Sequence, residues 1–288
     1  LESNHHYLEC SSTVQADRLY DSVLAHDLPA MADVDSSMLQ FCSMVKDTCK
    51  VALTGECADE IFGGYPWFHK KEFFSANTFP WSIHPGARQV LLKDEVLDEL
   101  KMEEFIRETY EASVAETPRL EGESMTEARR REISYLNLRW FMQTLLNRMD
   151  RTSMYSGLEA RVPFADHRII EYVWNVPWEI KTAGGVAKSL LRQASRGLVP
   201  EEVLFRKKSP YPKTYDRGYE ALLAERIREI ARDSHSPVMN YLDRKKLEAF
   251  LQAPSDYGKP WYGQLMAGPQ MLAYILQINF WMEKFRVG

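Results

Sequence analysis

The chain has 288 residues, of which 45% are hydrophobic, and its formal net charge at pH 7 is −5. A chain of this size and hydrophobic content can bury a large core, as one domain or as two lobes. The modest charge and the lack of a basic stripe argue against a nucleic-acid partner. No apolar run reaches the roughly 18 residues that a membrane-spanning helix needs, so we predict no membrane partner.

The first part of the chain predicts alternating strands and helices. HHYLEC, at His5–Cys10, is a short strand candidate, and Ala16–Leu24 has helical spacing. A second predicted helix begins at Ser36 and continues through Val45. VALT, at Val51–Thr54, is a continuous apolar run of the kind expected for a buried strand in a parallel sheet.

Helices dominate the prediction beyond Phe73. Ser124 and Glu127 form a capping box before a long helix. Its apolar residues recur at steps of three and four and predict one buried face, made of Ile133, Leu136, Trp140, Phe141, Leu145 and Met149. Asp166 is a candidate cap for a further helix that ends before Pro177.

The last part of the chain contains two more predicted helices and one loop. Gly197 is predicted to close the helix that contains Lys188, and Pro269 to sit in the first turn of a terminal helix. Pro254–Gly263 is rich in Pro, Gly and aromatic residues and is predicted to be a loop. The apolar stripe of the terminal helix is expected to pack in the core, with an interface as the alternative; it consists of Leu272, Ile275, Leu276, Asn279 and Phe280.

The most informative segment is VALTGECADEIFGGY, at Val51–Tyr65, where three carboxylates follow the strand within five residues. They are Glu56, Asp59 and Glu60, and a pair of glycines comes directly after them. At the carboxyl end of a parallel strand this pattern is suited to binding a cation and a phosphate ester. The alternative is an acidic first turn that caps a helix and faces water, and the segment alone does not separate the two.

The aromatic-rich segment YPWFHKKEFF follows at Tyr65–Phe74. It can line a pocket or cover a sheet edge, and both interpretations remain open at this point. The four cysteines show no C-x-x-C pair, which predicts free thiols in a reducing cytoplasm. His5 and His6 lack a third ligand at a suitable spacing and are predicted to be strand residues rather than metal ligands.

Two further blocks occupy Asn147–Tyr172 and Lys188–Tyr215. In their order and residues, these blocks and the acidic segment resemble the synthetase domain of glutamine-hydrolysing asparagine synthetases. That family carries S-G-E-G-x-D-E-[LIV]-F-G-G-Y, then D-R-x-S-M, E-x-R-x-P-F-L-D and K-x-x-L-R. This chain differs at Thr54, Cys57 and Ala165, where the family usually has Ser, Gly and Leu, and it keeps every charged position.

The resemblance implies an α/β fold with a parallel sheet of the adenine-nucleotide α-hydrolase (ATP pyrophosphatase) type, truncated at its N-terminal side. Residues 1–75 are expected to be the remaining α/β nucleotide-binding part, and residues 76–288 a mainly helical C-terminal part of the same domain. The family's S-G-G-x-D-S pyrophosphate loop and its N-terminal glutaminase domain do not occur in the sequence. We therefore expect a C-terminal piece of a longer enzyme, impaired when isolated.

The activity implied by the resemblance is ATP-dependent. ATP converts the side-chain carboxylate of aspartate to β-aspartyl-AMP and releases pyrophosphate, and ammonia, taken from glutamine in the full-length enzyme, displaces AMP to give asparagine. The implied substrates are aspartate, ATP and ammonia; the implied partners are the glutaminase domain and a second copy in a homodimer. Mg²⁺ is the implied metal, because it screens polyphosphates through one or two carboxylates.

The resemblance also implies roles for individual residues. Asp59 matches a Mg²⁺ ligand that works with an aspartate of the absent loop, while Thr54 and Gly55 match positions that contact ATP. Glu56 matches an acid needed to form the intermediate, and a carboxylate there can also accept a proton from the attacking amine. Glu60 is the weaker neighbour of Asp59, because adjacent helical side chains diverge by about 100°.

Lys188 and Asp150 are the other two predicted catalytic residues, and each has an ordinary structural alternative. Lys188 matches the family's transition-state lysine, but it can equally be an exposed helix lysine. Asp150, together with Arg151, can orient the substrate amine or the nucleotide, or it can cap a turn. Glu159 and Arg161 share one face of a predicted strand, where a structural ion pair is at least as well supported as substrate binding.

Two alternative functions remain. A β-lactam synthetase-like enzyme adenylates a carboxylate and closes a ring without ammonia, but such relatives tend to have tyrosine at the position of Glu56. A non-catalytic module that keeps the fold is the other alternative. The retained acids and Lys188 argue against that module, because a site without function has no physical reason to keep unpaired acids together.

Overall fold

The computed structural model describes residues 4–208, 216–252, 254, 260–261, 264–265 and 268–287. This part of the chain is mainly helical. Its helices are α1 (Ser12–His26), α2 (Asp33–Lys46), α3 (Ala58–Phe62), α4 (Lys71–Phe74), α5 (Asp94–Leu100), α6 (Met102–Ala115), α7 (Met125–Leu136), α8 (Gln143–Tyr155), α9 (His167–Trp174), α10 (Trp178–Lys181), α11 (Ser189–Ala194), α12 (Glu201–Leu204), α13 (Arg217–Arg232), α14 (Arg244–Gln252) and α15 (Gly268–Phe285). Its strands are β1 (Val51–Leu53), β2 (Glu159–Arg161), β3 (Pro260–Trp261) and β4 (Gln264–Leu265).

Two of the predicted helices near the start of the chain are confirmed. α1 contains the predicted stretch and is capped by Ser11, whose side chain accepts from the Val14 N–H. α2 begins at Asp33, three residues earlier than predicted. Asp33 and Asp35 occupy its first turn, where the helix dipole favours negative charge.

The first predicted strand is wrong. Residues 5–10 have no regular structure, and all but the last are exposed. A lone strand leaves its backbone donors and acceptors unpaired, so HHYLEC, which has no partner strand in the described part of the chain, does not form one.

The central sheet consists of β1 and β2, paired in parallel with Ala52 opposite Ala160. The prediction of a strand at Val51–Thr54 is confirmed, but the prediction that it is buried is wrong. Val51 is 40% exposed and Leu53 is 75% exposed, because no described element covers that face of the pair. The result is an α/β fold with a small parallel sheet; the larger nucleotide-hydrolase sheet stays a prediction.

The predicted long helix continues from α7 through a π-helical segment, Asn137–Met142, into α8. The capping box is confirmed: the Ser124 hydroxyl accepts from the Glu127 N–H, and Glu127 accepts from the Ser124 N–H. Its buried face packs on an aromatic cluster, but the prediction that Trp140 lies on that face is wrong, because this side chain is 37% exposed. The buried members on the helix and in the cluster are Ile133, Leu136, Phe141, Leu145, Trp67, Phe68, Trp81 and Tyr110.

The C-terminal helices pack against the start of the chain. α15 contacts α1 and α13, and this core contains the predicted apolar stripe, with Leu272, Ile275 and Leu276 at most 3% exposed. Core packing is therefore the correct interpretation of the stripe, and the helix bounds Gly268–Phe285 agree with the prediction from Pro269. The predicted loop at Pro254–Gly263 lies mostly outside the described residues.

Two smaller predictions are also confirmed. Asp166 caps α9 by accepting from the Arg168 N–H, and that helix ends before Pro177. The four cysteines are free thiols, as predicted. Across the described ranges, no helix is both long enough and apolar enough to cross a bilayer. The division of the chain at residue 75 stays a prediction, since no observation tests it.

Candidate functional site

A cavity of about 1180 Å³ opens at the carboxyl end of β1. Most of its wall is apolar, contributed by Met31, Met38, Phe41, Cys42, Val45, Leu53, Trp67, Phe73, Trp81, Phe141, Leu145, Met149 and Leu158. Its polar residues include Thr54, Glu56, Asp59, Glu60, Tyr65, His69, Lys70, Arg148 and Lys208. The aromatic segment Tyr65–Phe74, which follows α3, thus lines a pocket. This is the first of the two interpretations given for it above.

The turn between β1 and α3 carries the acidic residues into this cavity. Thr54 accepts a hydrogen bond at Oγ1 from the Glu56 N–H, at 3.3 Å. Cys57 precedes α3 with φ = 71°, a left-handed conformation that favours glycine. The family usually has glycine here, and the structure supplies the reason. The turn directs Glu56, Asp59 and Glu60 to three different partners.

Glu56 forms an ion pair with Arg148, which reaches it from α8. Arg148 Nη2 lies 2.8 Å from Glu56 Oε1, and the side chains are 9% and 16% exposed. The second oxygen of Glu56, Oε2, is buried and has no hydrogen-bond partner among the described residues. One oxygen is therefore held in place by a cation, while the other remains available as an acceptor.

Asp59 lies between two lysines. Lys188 Nζ is 2.8 Å from Asp59 Oδ1, and Lys208 Nζ is 2.5 Å from Asp59 Oδ2. Burial alone would raise the pKa of Asp59, but the two ammonium groups outweigh it and hold the pKa below its ordinary value. The structure thus brings together two of the predicted site residues, Asp59 and Lys188, which are far apart in sequence.

The backbone at Lys188 departs from the prediction. Lys188 does not lie within a helix: it precedes α11 and has φ = 59°. A non-glycine residue in this left-handed region cannot continue a right-handed helix and is strained. Strain of this kind often occurs at functional sites, where the surrounding structure imposes it. The exposed-helix alternative for Lys188 is wrong, because its ammonium is only partly exposed and paired with Asp59.

Glu60 has a different environment from Asp59. It is 3% exposed, and the Tyr65 hydroxyl donates to its Oε1 at 2.6 Å. Burial raises the pKa of Glu60 and also, more strongly, the pKa of the Tyr65 phenol. The prediction that Glu60 diverges from Asp59 is confirmed by these separate partners.

The two glycines after α3 are required by close packing. Gly63 has φ = 72°, and a Cβ there would lie 2.5 Å from the Trp178 ring. A Cβ at Gly64 would lie 1.8 Å from Asp59 Oδ1 and 2.6 Å from its Cγ. The backbone of Gly64 is therefore the surface against which the Asp59 carboxylate rests.

We expect Gly64→Ala to destabilise the protein, because the new methyl group must push Asp59 away from its two lysines. The expected loss in the free energy of unfolding is about 1–3 kcal/mol, the usual cost of overpacking. Gly86→Ala is the control, because a Cβ there has no atom within 4 Å, and we expect a change of at most about 0.5 kcal/mol. Urea denaturation followed by circular dichroism measures both, and equal values for the two variants would contradict the packing role of Gly64.

Asp150 and Arg151 lie two and three residues beyond Arg148 on α8. The Asp150 side chain is exposed and does not line the cavity. Arg151 points elsewhere: its Nη1 donates to Asp27 Oδ2 at 3.0 Å and to the His26 carbonyl at 3.2 Å. The structure therefore does not bring Asp150 to the other predicted site residues, and its catalytic role stays a prediction.

Glu159 and Arg161 share a face of β2, as predicted. Arg161 Nε lies 2.7 Å from Glu159 Oε1, and the two side chains are more than half exposed. The structure thus contains the predicted ion pair, and neither of its side chains lines the cavity.

Behind Arg148 lies a buried acid that sequence reasoning did not identify. Asp35 is fully buried and accepts from the Met31 N–H at 2.7 Å. Burial raises its pKa to about 6, although the charge of Arg148 opposes the shift. His26 Nε2 is 3.5 Å from Asp35 Oδ2. Burial, together with Arg151 and Arg148, lowers the pKa of His26 to about 4.

These shifts predict how stability depends on pH. The folded state holds a proton on Asp35 up to about pH 6, whereas the unfolded chain releases it from about pH 4, so this residue makes the fold less stable as pH rises through that window. His26 acts in the opposite direction. Between about pH 4 and 6.5 only the unfolded chain protonates His26, so this residue makes the fold more stable as pH rises. Replacing one of the two residues separates the effects.

We expect Asp35→Asn, which keeps an acceptor for the Met31 N–H, to gain stability relative to the unsubstituted protein as pH rises from about 4 to 7. The gain should be on the order of 2–3 kcal/mol, corresponding to a shift of about two pKa units. Urea denaturation at a series of pH values measures the difference. A difference that stays constant with pH would show that the Asp35 carboxyl titrates normally.

Sequence reasoning missed Arg148, Lys208 and Asp35. Arg148 gave a usable signal, because it lies three residues after Leu145 on the buried stripe of α8, where an unpaired cation is costly. Lys208 gave none: it belongs to a basic run, Arg206–Lys208, that resembles any solvated surface segment. Its approach to Asp59 depends on the tertiary fold.

The cavity belongs to a recognisable class: a pocket with a charged end, at the carboxyl end of a parallel strand in an α/β fold. The chain is a member of the asparagine synthase family, whose sequence model matches residues 1–283. The resemblance seen in the motifs is therefore confirmed at the level of the family.

The chain is similar to three curated relatives, all named asparagine synthetase (glutamine-hydrolyzing). It is 46% identical over 286 residues to form 3 of Bacillus subtilis (strain 168), and this match covers 99% of this chain and 46% of the relative. It is 29% identical over 227 residues to form 1 of the same organism, covering 67% of this chain and 35% of the relative. It is 42% identical over 67 residues to the Homo sapiens protein, and this match covers 22% of this chain and 12% of the relative. The chain thus spans less than half the length of each.

Proposed function

We propose that this chain is the part of an asparagine synthetase that uses ATP to activate the side-chain carboxylate of aspartate. The observation that carries the proposal is the arrangement of charges at the polar end of the cavity. Asp59 lies between Lys188 and Lys208, next to the pair formed by Glu56 and Arg148. The cavity volume, about 1180 Å³, exceeds the usual range for a single drug-sized ligand and suits a nucleotide with an amino acid.

In the proposed reaction, an oxygen of the aspartate β-carboxylate attacks the α-phosphorus of ATP. The bond from that phosphorus to the bridging oxygen breaks, and pyrophosphate leaves. Ammonia then attacks the acyl carbon of β-aspartyl-AMP, the carbon–oxygen bond breaks, AMP leaves, and a proton leaves the nitrogen. Each step moves negative charge between oxygen atoms, which fixed cations in a water-poor site stabilise.

Lys188 is the residue that we assign to the charge on the reacting phosphate. Its ammonium is already oriented on an anionic group, the Asp59 carboxylate, at 2.8 Å. A preorganised cation costs no reorganisation at the moment of reaction. Thr54 and Gly55, which line the same cavity, are proposed to contact the nucleotide.

Glu56 is the proposed acceptor for the proton of the attacking amine. Arg148 holds its Oε1, and its Oε2 has no hydrogen-bond partner in the described ranges. A general base needs a free acceptor atom within reach of the proton that it removes. Asp150 remains a weaker candidate for orienting the substrate, since its exposed side chain does not line the cavity.

The predicted Mg²⁺ ligand does not fit a resident metal site. Both oxygens of Asp59 are taken by ammonium groups, and Glu60 is buried against Tyr65 with a raised pKa. Among the residues with described positions, no three His, Cys, Asp or Glu are grouped to hold a metal. The proposed roles of the side chains above therefore do not involve a metal bound by this chain.

We also propose a glutamine-derived ammonia supply, a homodimer and a cytoplasmic location. Ammonia supplied from glutamine by a glutaminase domain, and assembly as a homodimer, rest on the family resemblance. A cytoplasmic location rests on the four free cysteines.

Trapping of the activated intermediate tests the proposal. The complete protein that contains this chain is mixed with ATP, Mg²⁺, aspartate and hydroxylamine, which replaces ammonia as the nucleophile. We expect aspartyl hydroxamate and one pyrophosphate for each hydroxamate, with neither formed when glutamate replaces aspartate. Hydrolysis of ATP to ADP, or pyrophosphate release that does not depend on aspartate, would refute it.

A further inference from the structure

A series of contacts links the buried acid Asp35 to Glu56. The Met31 N–H donates to Asp35 Oδ2 at 2.7 Å, and Met31 Sδ accepts from Arg148 Nη1 at 3.4 Å. Arg148 Nη2 in turn donates to Glu56 Oε1 at 2.8 Å. These contacts join α2, the turn before it, α8 and the turn after β1. A change at Asp35 can therefore alter the surroundings of Glu56, although Asp35 itself does not line the cavity.

The turn that carries Met31 is strained. Its next residue, Ala32, is fully buried and has φ = 47° and ψ = −128°. Residues with a Cβ rarely adopt this conformation, and such strain persists only where the surrounding structure imposes it. The hydrogen bond from the Met31 N–H to Asp35 ties this turn to α2. The backbone that presents the Met31 side chain to Arg148 is thus held by Asp35.

The carboxyl of Asp35 exceeds what a helix terminus requires. A side chain that reaches back to a backbone N–H at the start of a helix can be neutral, as Asn and Ser commonly are. A buried carboxylate is costly, and burial raises the pKa of Asp35 to about 6. Its Oδ1 has no hydrogen-bond partner among the described residues. The charge of Arg148 opposes the rise in pKa, so this guanidinium is the group that favours an ionised carboxyl here.

The helices packed on α2 bring further titratable groups to Asp35. His26, at the end of α1, has its Nε2 3.5 Å from Asp35 Oδ2, and burial, together with Arg151 and Arg148, lowers its pKa to about 4. Arg151, on α8, donates to the His26 carbonyl, and Asp33, on α2 itself, accepts from a glutamine of α15. Because His26 is neutral above about pH 4, ionisation of Asp35 near pH 6 chiefly affects Arg148.

Arg148 thus interacts with two carboxyl groups, those of Glu56 and Asp35. An arginine fork often binds one carboxylate through both of its oxygens. Here Arg148 holds Oε1 of Glu56, while Oε2 has no hydrogen-bond partner in the described ranges and the other terminal nitrogen donates to Met31. A negative charge on Asp35 attracts the guanidinium and opposes its closure on both oxygens of Glu56.

We propose that Asp35 is a positioning residue for the attack of ammonia: through Met31 and Arg148 it keeps Glu56 Oε2 free to accept the proton of the amine. This inference rests on the proposed function and adds a residue to its second step. Without the charge of Asp35, the guanidinium closes on both oxygens of Glu56. The step that needs a free Oε2 then slows, whereas activation of aspartate by ATP does not require it.

Two rates of the complete protein separate these steps: single-turnover pyrophosphate release with aspartate and ATP, and kcat for asparagine formation at saturating ammonia. Asp35→Asn removes the charge but keeps an acceptor for the Met31 N–H. Met31→Leu keeps the volume but removes the acceptor for Arg148. Asp33→Asn is the matched control, because Asp33 is a buried acid on the same helix whose carboxylate accepts from Gln270 of α15. Circular dichroism establishes that each variant is folded.

At about pH 8 we expect Asp35→Asn to lower kcat with ammonia roughly tenfold, as for a small displacement of a reacting group, and to leave pyrophosphate release near normal. Met31→Leu should show the same separation of the two rates with a smaller effect, and it tests the proposal even if Asp35→Asn does not fold. Asp33→Asn should leave both rates near normal.

The ratio of kcat for Asp35→Asn to kcat for the unsubstituted protein should rise toward one as the pH is lowered to about 5.5. At that pH the carboxyl of Asp35 is mostly protonated in the unsubstituted protein as well. The ratio is insensitive to protonation of ammonia, which affects both proteins equally.

A ratio that stays constant with pH would indicate a purely structural role and overturn the inference. An equal loss of pyrophosphate release in Asp35→Asn, or an equal loss of kcat in Asp33→Asn, would do the same. These results leave aspartate-dependent pyrophosphate release by the unsubstituted protein intact. Its absence would refute the proposed function itself, so the two failures are distinguishable.

Discussion

Lys188→Ala is expected to lower the rate of aspartate-dependent pyrophosphate release by roughly 10²–10³-fold, the usual cost of removing one preorganised electrostatic group. The ammonium of Lys188 is the group assigned to the charge that develops on the reacting phosphate, and no other described cation pairs with Asp59 Oδ1. Single-turnover pyrophosphate release from the complete protein, with saturating ATP and aspartate, measures the effect without a contribution from product release.

The fold should survive this substitution, because Lys208 still neutralises Asp59. Lys188→Arg should restore little of the rate, since a planar guanidinium does not place a point charge at the same distance. Lys207→Ala is the control for loss of a positive charge at the surface and should be close to normal. An unchanged rate for Lys188→Ala would remove this residue from the active site and weaken the transfer of the other family roles.

Glu56→Gln is expected to reduce turnover with ammonia by roughly 10²-fold or more, because it removes the charge and the basicity of the carboxylate but keeps its shape. The glutamine carbonyl can still accept from Arg148, which lies 2.8 Å from Glu56 Oε1, so the local structure should be retained. Aspartate binding should change much less than turnover. Steady-state kinetics with ammonia as the nitrogen donor separate kcat from KM.

Glu72→Gln, on the exposed side of α4, is the control for loss of a negative charge. It should leave both kinetic constants near normal. Near-normal turnover for Glu56→Gln would mean that Glu56 is only a structural partner of Arg148 at the start of α3.

Local features of the fold could be predicted from the sequence, because their causes lie within a few residues. The capping box at Ser124 and the cap at Asp166 depend on side chains reaching backbone groups two or three positions away. The buried stripe of α15 follows from helical periodicity alone. In each case the sequence specifies both interacting groups.

The errors in the fold concern residues whose state depends on distant partners. HHYLEC has strand-forming residues but no adjacent strand among the described residues, and β1 is apolar but uncovered on one face. Apolar composition indicates that a strand prefers to be buried, but it does not indicate what covers the strand.

Only part of the candidate site could be predicted, because the rest also depends on partners that are distant in sequence. The acidic turn and Lys188 were found from motifs, whereas the pairing of Glu56 with Arg148 joins residues 92 positions apart, and that of Asp59 with Lys208 joins residues 149 positions apart. Nothing in the sequence near Lys208 indicates its partner. The left-handed backbone of Lys188 was also missed, because it is imposed by the surrounding fold rather than by local preference.

Isotope transfer tests the proposed adenylation of the aspartate side-chain carboxylate. The complete protein is supplied with ATP, ammonia and aspartate whose β-carboxylate carries heavy oxygen. Attack of that carboxylate on the α-phosphorus predicts AMP that contains one heavy oxygen atom and pyrophosphate that contains none. Heavy oxygen in inorganic phosphate, with ADP as the nucleotide product, would show that the γ-phosphorus is attacked instead and would contradict the claim.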